Sequence, residues 1–124
     1  MNLNQVTLPA VDVAAAAAFY RRLGFRLIVD DLPHYVRFEC PDGESTFSLE
    51  EAAERGTGPC PTVYFECERL DETVRDLAAA GIEFDSVPAD QTWLWREARL
   101  RDPAGNPLCL YWAGRNRRYP PWRV

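Results

Sequence analysis

Two glycines, Gly24 and Gly81, each stand directly after an amphipathic helical stretch, and the segments around them repeat one pattern. Val13 to Leu23 carries an apolar stripe of Ala16, Phe19, Tyr20 and Leu23. Leu70 to Ala80 carries one of Leu70, Val74, Leu77 and Ala78. Apolar residues three and four apart mark one face of a helix. A glycine just past the last periodic residue is a stop signal, because the left-handed C′ position disfavours a Cβ. Asp12 stands where an N-cap belongs. Shifting the sequence by the spacing of the two glycines lays Gln5 on Thr62 and Leu8 on Phe65. A strand therefore precedes each helix, and the repeat rests on pattern rather than identity.

Residues alternating with period two supply the remaining strands. In the first half these are Leu3 to Pro9, Phe25 to Asp30, Tyr35 to Cys40 and Ser45 to Glu51. In the second they are Thr62 to Cys67, Ile82 to Val87, Trp95 to Arg101 and the strand ending in Trp112. Pro41-Asp42-Gly43-Glu44 is a hairpin turn, and Pro88 to Leu94 is a loop. The chain thus reads as α+β: two tandem βαβββ modules with curved mixed sheets. Module one is 1–53. A linker at 54–61 holds Gly56, Gly58, Pro59 and Pro61. Module two is 62–113, followed by a tail at 114–124.

Parity then separates two faces. Val6 and Leu8, Val36 and Phe38, Phe47 and Leu49, Val63 and Phe65, and Leu108 and Leu110 suit packing under the helices. Gln5, Tyr35, Arg37, Ser48, Glu50, Thr62, Tyr64, Cys109 and Tyr111 alternate with them and face the other way. A one-residue slip would exchange the two sets. Burying Gln5, Arg37 and Glu50 without partners would cost several kcal/mol, at roughly 2–7 kcal/mol per group. The uncovered faces are expected to meet around a cleft, within one chain or across a dimer. Its lining suits a small amphipathic organic ligand with an anionic or hydrogen-bonding group.

Composition excludes some functions. At 124 residues the chain is one domain with room for a core. A net charge of -5 argues against nucleic acid as partner. No apolar run approaches the ~20 residues that span a bilayer. The Ala14 to Ala18 run belongs to an amphipathic helix rather than to a signal peptide. Cys40, Cys60, Cys67 and Cys109 lack metal-type spacing and read as buried thiols of a cytoplasmic protein. A Cys40–Cys60 disulfide is the alternative.

Two motifs carry a resemblance. Asp102-Pro103-Ala104-Gly105-Asn106, followed by an alternating strand, resembles the last hairpin of the vicinal-oxygen-chelate superfamily. That group includes glyoxalase I, bleomycin-resistance proteins and extradiol dioxygenases. Phe19-Tyr20-Arg21-Arg22-Leu23-Gly24-Phe25 is similar to its "FY..LGF" helix end. The resemblance implies the glyoxalase-like fold, a ligand cleft and, in the family's enzymes, a divalent metal. Those enzymes draw ligands from the first and last strands of each module. The matching positions here are Gln5, Thr62, Cys109 and Glu50, or Ser48 if the register shifts by two. Amide, hydroxyl, thiol and one carboxylate are a poor set for Zn²⁺, Ni²⁺ or Fe²⁺. No metal and no other cofactor is expected.

Several residues keep two readings. Arg37 is either half of an ion pair with Glu39 or a bidentate anion binder. Glu50 is an exposed strand-end carboxylate or a catalytic base. Cys109 is an inert thiol or a cleft group, and His34 lies in a turn, exposed. Trp93-Leu94-Trp95-Arg96 packs an interface or forms a lid over a ligand. The basic, aromatic tail is expected to strap across its own domain or a dimer partner, anchored by Trp122. Two function classes follow. One is a metal-free binding protein; the other is a lyase or dioxygenase with unusual ligands, or a metal-free catalyst using Glu50. The aromatic surface at Trp93, Trp95, Tyr119 and Trp122 predicts a homodimer.

Overall fold

The computed structural model describes all of residues 1–124. Two compact units form: Met1–Cys60 with Asp102–Asn106, and Pro61–Arg101 with Pro107–Val124. The short Asp102–Asn106 turn, which the sequence pattern places in module two, goes with the first unit. Its Asn106 Nδ2 donates to the Pro9 carbonyl at 2.9 Å, and its Pro103 carbonyl accepts from Arg55 at 3.0 Å.

In the first unit the elements are β1 (Gln5–Ala10), α1 (Val13–Arg22), β2 (Arg26–Asp31), β3 (Tyr35–Glu39) and β4 (Thr46–Glu51). The sheet order is β1-β4-β3-β2, with β1 parallel to β4 and the other pairs antiparallel. Asp12 caps α1 by accepting from the Ala15 amide at 2.9 Å, and Gly24 takes φ 96° past its end. The helix buries Val13, Ala16, Ala17 and Tyr20, whereas Phe19 and Leu23, expected in the stripe, are only half-buried. The small Ala16 and Ala17 let the helix lie close, so Tyr20 reaches the sheet. Its ring meets Phe47 at 4.5 Å, Phe25 at 5.5 Å and Phe38 at 6.1 Å. Such a fully buried large apolar side chain contributes about 1.5–3 kcal/mol.

The second unit holds β5 (Val63–Glu66), α2 (Leu70–Ala79), β6 (Ala89–Asp90), β7 (Arg96–Arg101) and β8 (Pro107–Trp112), ordered β5-β8-β7-β6 with β5 parallel to β8. The strand expected at Ile82 to Val87 does not form. Phe84 makes one isolated bridge to Leu100. Asp85 and Ser86 then both donate their amides to the Arg99 carbonyl, at 2.7 and 3.3 Å, while the Ser86 hydroxyl accepts from the Arg99 amide at 3.0 Å. Two residues facing one break the ladder as a bulge does, and Pro88 has no amide to resume it. Pairing restarts at Ala89–Asp90, inside the expected loop. On α2, Leu70 and Val74 are buried, and Ala78 is exposed rather than inward.

The tail opens with a short 3-10 helix, Gly114–Arg117, fastened to Glu66. The Gly114 amide donates to that carboxylate at 3.2 Å, and Arg117 lies 3.5 Å from it. Trp122 does not anchor the tail in this chain, since it is 56% exposed. Arg123 instead covers the Tyr119 ring at 4.5 Å. No helix is long and apolar enough to cross a membrane.

Candidate functional site

Strand register sets which side chains share a face. In the first unit Gln5 pairs with Thr46, Thr7 and Arg37 with Ser48, and Tyr35 with Glu50. These residues occupy the sheet face opposite buried Leu8, Val36, Phe38, Phe47 and Leu49. On it, Gln5, Ser48, Tyr35 and Arg37 form one hydrogen-bonded chain. Gln5 Nε2 donates to Ser48 Oγ at 2.8 Å, Ser48 Oγ and the Tyr35 hydroxyl lie 2.7 Å apart, and Arg37 Nε donates to the Tyr35 hydroxyl at 3.0 Å. The Gln5 amide oxygen accepts from Thr46 Oγ1. Ser48 is fully buried although it faces the polar side. Glu50 shares the face but is exposed and lies outside this chain of bonds. Arg37 does not pair with Glu39, which lies 3.5 Å from Arg26 instead.

In the second unit Tyr64 and Arg99 pair with Cys109, and Glu66 and Glu97 pair with Tyr111. Trp95 stacks on Tyr111 at 4.7 Å, and Tyr64 meets both edge-on, at 5.9 and 5.6 Å. Glu97, only 3% exposed, accepts from the Trp93 indole at 2.7 Å and from Arg99 at 2.7 Å. Arg99 also lies 6.0 Å over the Tyr64 ring. Cys109 is fully buried, and burial, reinforced by the Glu97 carboxylate, pushes its thiol up to about 12. The Trp93 turn closes with the Leu94 amide on the Gln91 carbonyl at 3.0 Å and holds Leu94 at φ 66°, a left-handed conformation uncommon outside glycine. Arg96 is occupied elsewhere, forking onto Asp71 at 2.8 and 3.2 Å and onto Asp90 at 3.0 Å. Thr62 precedes β5 and is half-buried.

Sequence reasoning missed Glu97 and Arg99. The signal was available, since both alternate with buried Ala98 and Leu100 along β7, as Cys109 and Tyr111 do with Leu108 and Leu110 along β8. The four cysteines are free, so no Cys40–Cys60 disulfide forms, and Cys60 is exposed. No three or more His, Cys, Asp or Glu side chains converge on a position that could hold a metal ion.

Two βαβββ modules, each a four-stranded mixed sheet with its helix on one face, define the glyoxalase-like α+β fold. Residues 2–110 match the Glyoxalase/Bleomycin resistance protein/Dioxygenase superfamily, and the chain belongs to that family. No curated protein matches the sequence. Among solved structures, a glyoxalase/bleomycin resistance protein/dioxygenase from Nocardioides is 25% identical with a TM-score of 0.79, covering 100% of this chain and 89% of its own. A bleomycin-binding protein complexed with bleomycin is 24% identical with a TM-score of 0.73, over 90% of this chain and 98% of its own. A lactoylglutathione lyase from Agrobacterium tumefaciens is 21% identical with a TM-score of 0.71, over 89% and 92%. A binding protein and a lyase share the fold at these identities, so function must be argued from the side chains.

Proposed function

We propose that this protein binds a small organic molecule on its polar sheet faces without a catalytic metal. The observation that carries the reading is the state of the residues where the family resemblance puts metal ligands. The Gln5 amide oxygen is neutral and already accepts from Thr46 Oγ1. Cys109 is fully buried, and burial with the Glu97 carboxylate beside it disfavours the thiolate, the form in which a cysteine ligates. Thr62 offers only a neutral hydroxyl, and Glu50 is a lone exposed carboxylate. This set does not suit a divalent transition ion. The face residues Gln5, Tyr35, Arg37, Ser48, Thr62, Tyr64, Trp93, Trp95, Cys109 and Tyr111 are the ligand-binding candidates. The bleomycin-bound relative supports a sequestering role. The lyase relative supports the second reading, in which Glu50 serves as general base. We also propose a cytoplasmic homodimer with no nucleic-acid or membrane partner.

Elemental analysis of protein purified without chelator tests the reading. Substoichiometric Zn, Ni and Fe are expected. One tightly held ion per chain would overturn it and move the protein among the metalloenzymes.

A further inference from the structure

Counting protons along the chain from Gln5 to Arg37 shows what the first face presents to a ligand. A serine or tyrosine hydroxyl has one proton to donate and can also accept. Two donors enter the chain from outside: Gln5 Nε2 at Ser48 Oγ, and Arg37 Nε at the Tyr35 hydroxyl. The Gln5 amide cannot be turned around. Its nitrogen also faces the Val6 carbonyl at 3.2 Å and Thr7 Oγ1 at 3.4 Å, sharing its second proton between them, and an amide oxygen there would face the Val6 oxygen; its own oxygen receives Thr46 Oγ1. The 2.7 Å contact between Ser48 and Tyr35 uses one hydroxyl proton of the two. One is left over.

If Tyr35 donated to Ser48, the leftover proton would be that of Ser48, which is fully buried and has no other acceptor. A buried donor without a partner costs about 1–3 kcal/mol. If Ser48 donates to Tyr35, every proton of Ser48 and Gln5 facing the interior is used, and the leftover belongs to the half-buried Tyr35 hydroxyl. That hydroxyl already accepts from Arg37 and Ser48, so it can only donate. Beside it the exposed Arg37 guanidinium, which spends only Nε on the chain, keeps its two Nη groups and can never accept.

We propose that Tyr35 and Arg37 form a donor-only subsite for an oxyanion, a carboxylate or phosphate group carried by the small organic ligand. The proposal rests on the reading of this face as ligand-binding, and it assigns Ser48 and Gln5 the positioning of the Tyr35 proton. A neutral amide or alcohol would lose the charge-assisted bonds that such a pair supplies.

Titration of the full chain with benzoate, benzamide and inorganic phosphate, followed by the Arg37 Nε–H and backbone amide resonances, tests this. Benzoate is expected to shift the resonances of β3 and of Arg37, and benzamide, of the same size but neutral, to bind at least about tenfold more weakly. Tyr35→Phe and Arg37→Met are each expected to weaken benzoate about tenfold with the amide spectrum otherwise preserved. Ser48→Ala should weaken benzoate severalfold, by less than Tyr35→Phe, because the Tyr35 hydroxyl loses the donor that turns its proton outward but keeps the proton itself. Phosphate binding more tightly at the same resonances would support the subsite and assign it to a phosphate ester; benzoate binding more tightly assigns it to a carboxylate. Equal binding of benzoate and benzamide, unchanged benzoate affinity in Tyr35→Phe, or no shift at β3 with either anion overturns the subsite. In the first two cases the broader binding reading survives. Tighter benzoate binding in Ser48→Ala overturns the proton assignment.

Discussion

The Tyr20 hydroxyl donates to Asp102 Oδ2 at 2.9 Å, a buried bond between residues 82 positions apart. Asp102, almost fully buried, also receives the Asn106 amide and the Asn106 side chain, each at 2.8 Å. The two motifs that carry the family resemblance therefore meet in space. The helix-end tyrosine is a donor to the first residue of the turn, and Asn106 passes the connection on to the Pro9 carbonyl. Tyr20→Phe keeps the ring packing and leaves Asp102 with its Asn106 donors, so the expected loss is about 1–2 kcal/mol. Asp102→Ala strands Tyr20 and Asn106 together and should cost more. Chemical denaturation of both variants measures the difference, and equal stability of Tyr20→Phe and the parent would refute the assignment.

The same bond has a pH signature. Burial, with the Asp102 charge and hydrogen bond added, holds the Tyr20 phenol far above its ordinary value of 10.0. The folded state thus keeps a proton that the unfolded state releases. The contribution is complete below pH 10 and is lost as pH rises above it. The parent should lose more stability across this range than Tyr20→Phe, which has no phenol to ionise; parallel pH profiles for the two would contradict this.

Strand parity was legible from sequence because alternation is a local signal with a large penalty for slipping. Val6, Leu8, Phe47 and Leu49 could not exchange places with Gln5, Ser48 and Glu50. The Tyr20–Asp102 bond was not legible, since each motif gives its own conformation but not its distant partner. The missing strand at Ile82 to Val87 failed for another reason. Ile82 and Phe84 alternate correctly, but Ser86 offers the backbone a side-chain bond that competes with the ladder. Alternation with Ala98 and Leu100 gives the face on which Glu97 lies, but not that the carboxylate is buried there, because the strand pattern does not say what covers that face. Only the third dimension shows that Trp93 and Arg99 enclose it.

His34 is the only histidine, so its titration can be followed without ambiguity. A hydrogen bond that its ring donates to Glu51, and the charge of that carboxylate, raise it above 6.5. NMR titration should give a midpoint above that value, and Glu51→Gln should bring it back down. The pairing stabilises the fold below 6.5 and fades as pH rises through the raised midpoint. An unmoved midpoint in Glu51→Gln would show that the pair does not hold in solution.

Thiol reactivity should divide the cysteines. With Cys109 pushed up to about 12, only about one thiol in ten thousand is ionised at pH 8, and the thiolate is the reactive form. Cys60 is exposed. Alkylation of the native protein followed by peptide mapping should therefore modify Cys60 first and Cys109 only after denaturation. Labelling of Cys109 as fast as Cys60 would also undercut the metal-free reading, because an available thiolate could serve as a ligand.

The acid at Glu97 gives the last test. Its carboxylate is nearly inaccessible, while its donors Trp93 and Arg99 are both partly exposed, at 43% for Trp93 and for the Arg99 side chain. Removing Arg99 therefore harms the fold through what it leaves behind. In Arg99→Met, Glu97 would remain as a buried charge with only the neutral Trp93 indole and Cys109 thiol on it. Breaking a fully buried pair costs about 3–5 kcal/mol, and the partial exposure of Arg99 brings the expected loss to about 2 kcal/mol. Adding Glu97→Gln removes the stranded charge and leaves an amide oxygen to accept from Trp93. Arg99→Met/Glu97→Gln should consequently be more stable than Arg99→Met alone, a non-additive result in a double-mutant cycle. Additive losses, measured by denaturant unfolding, would mean that Glu97 and Arg99 contribute independently. The Trp93 turn would then be held by Leu94 and its neighbours rather than by the acid beneath it.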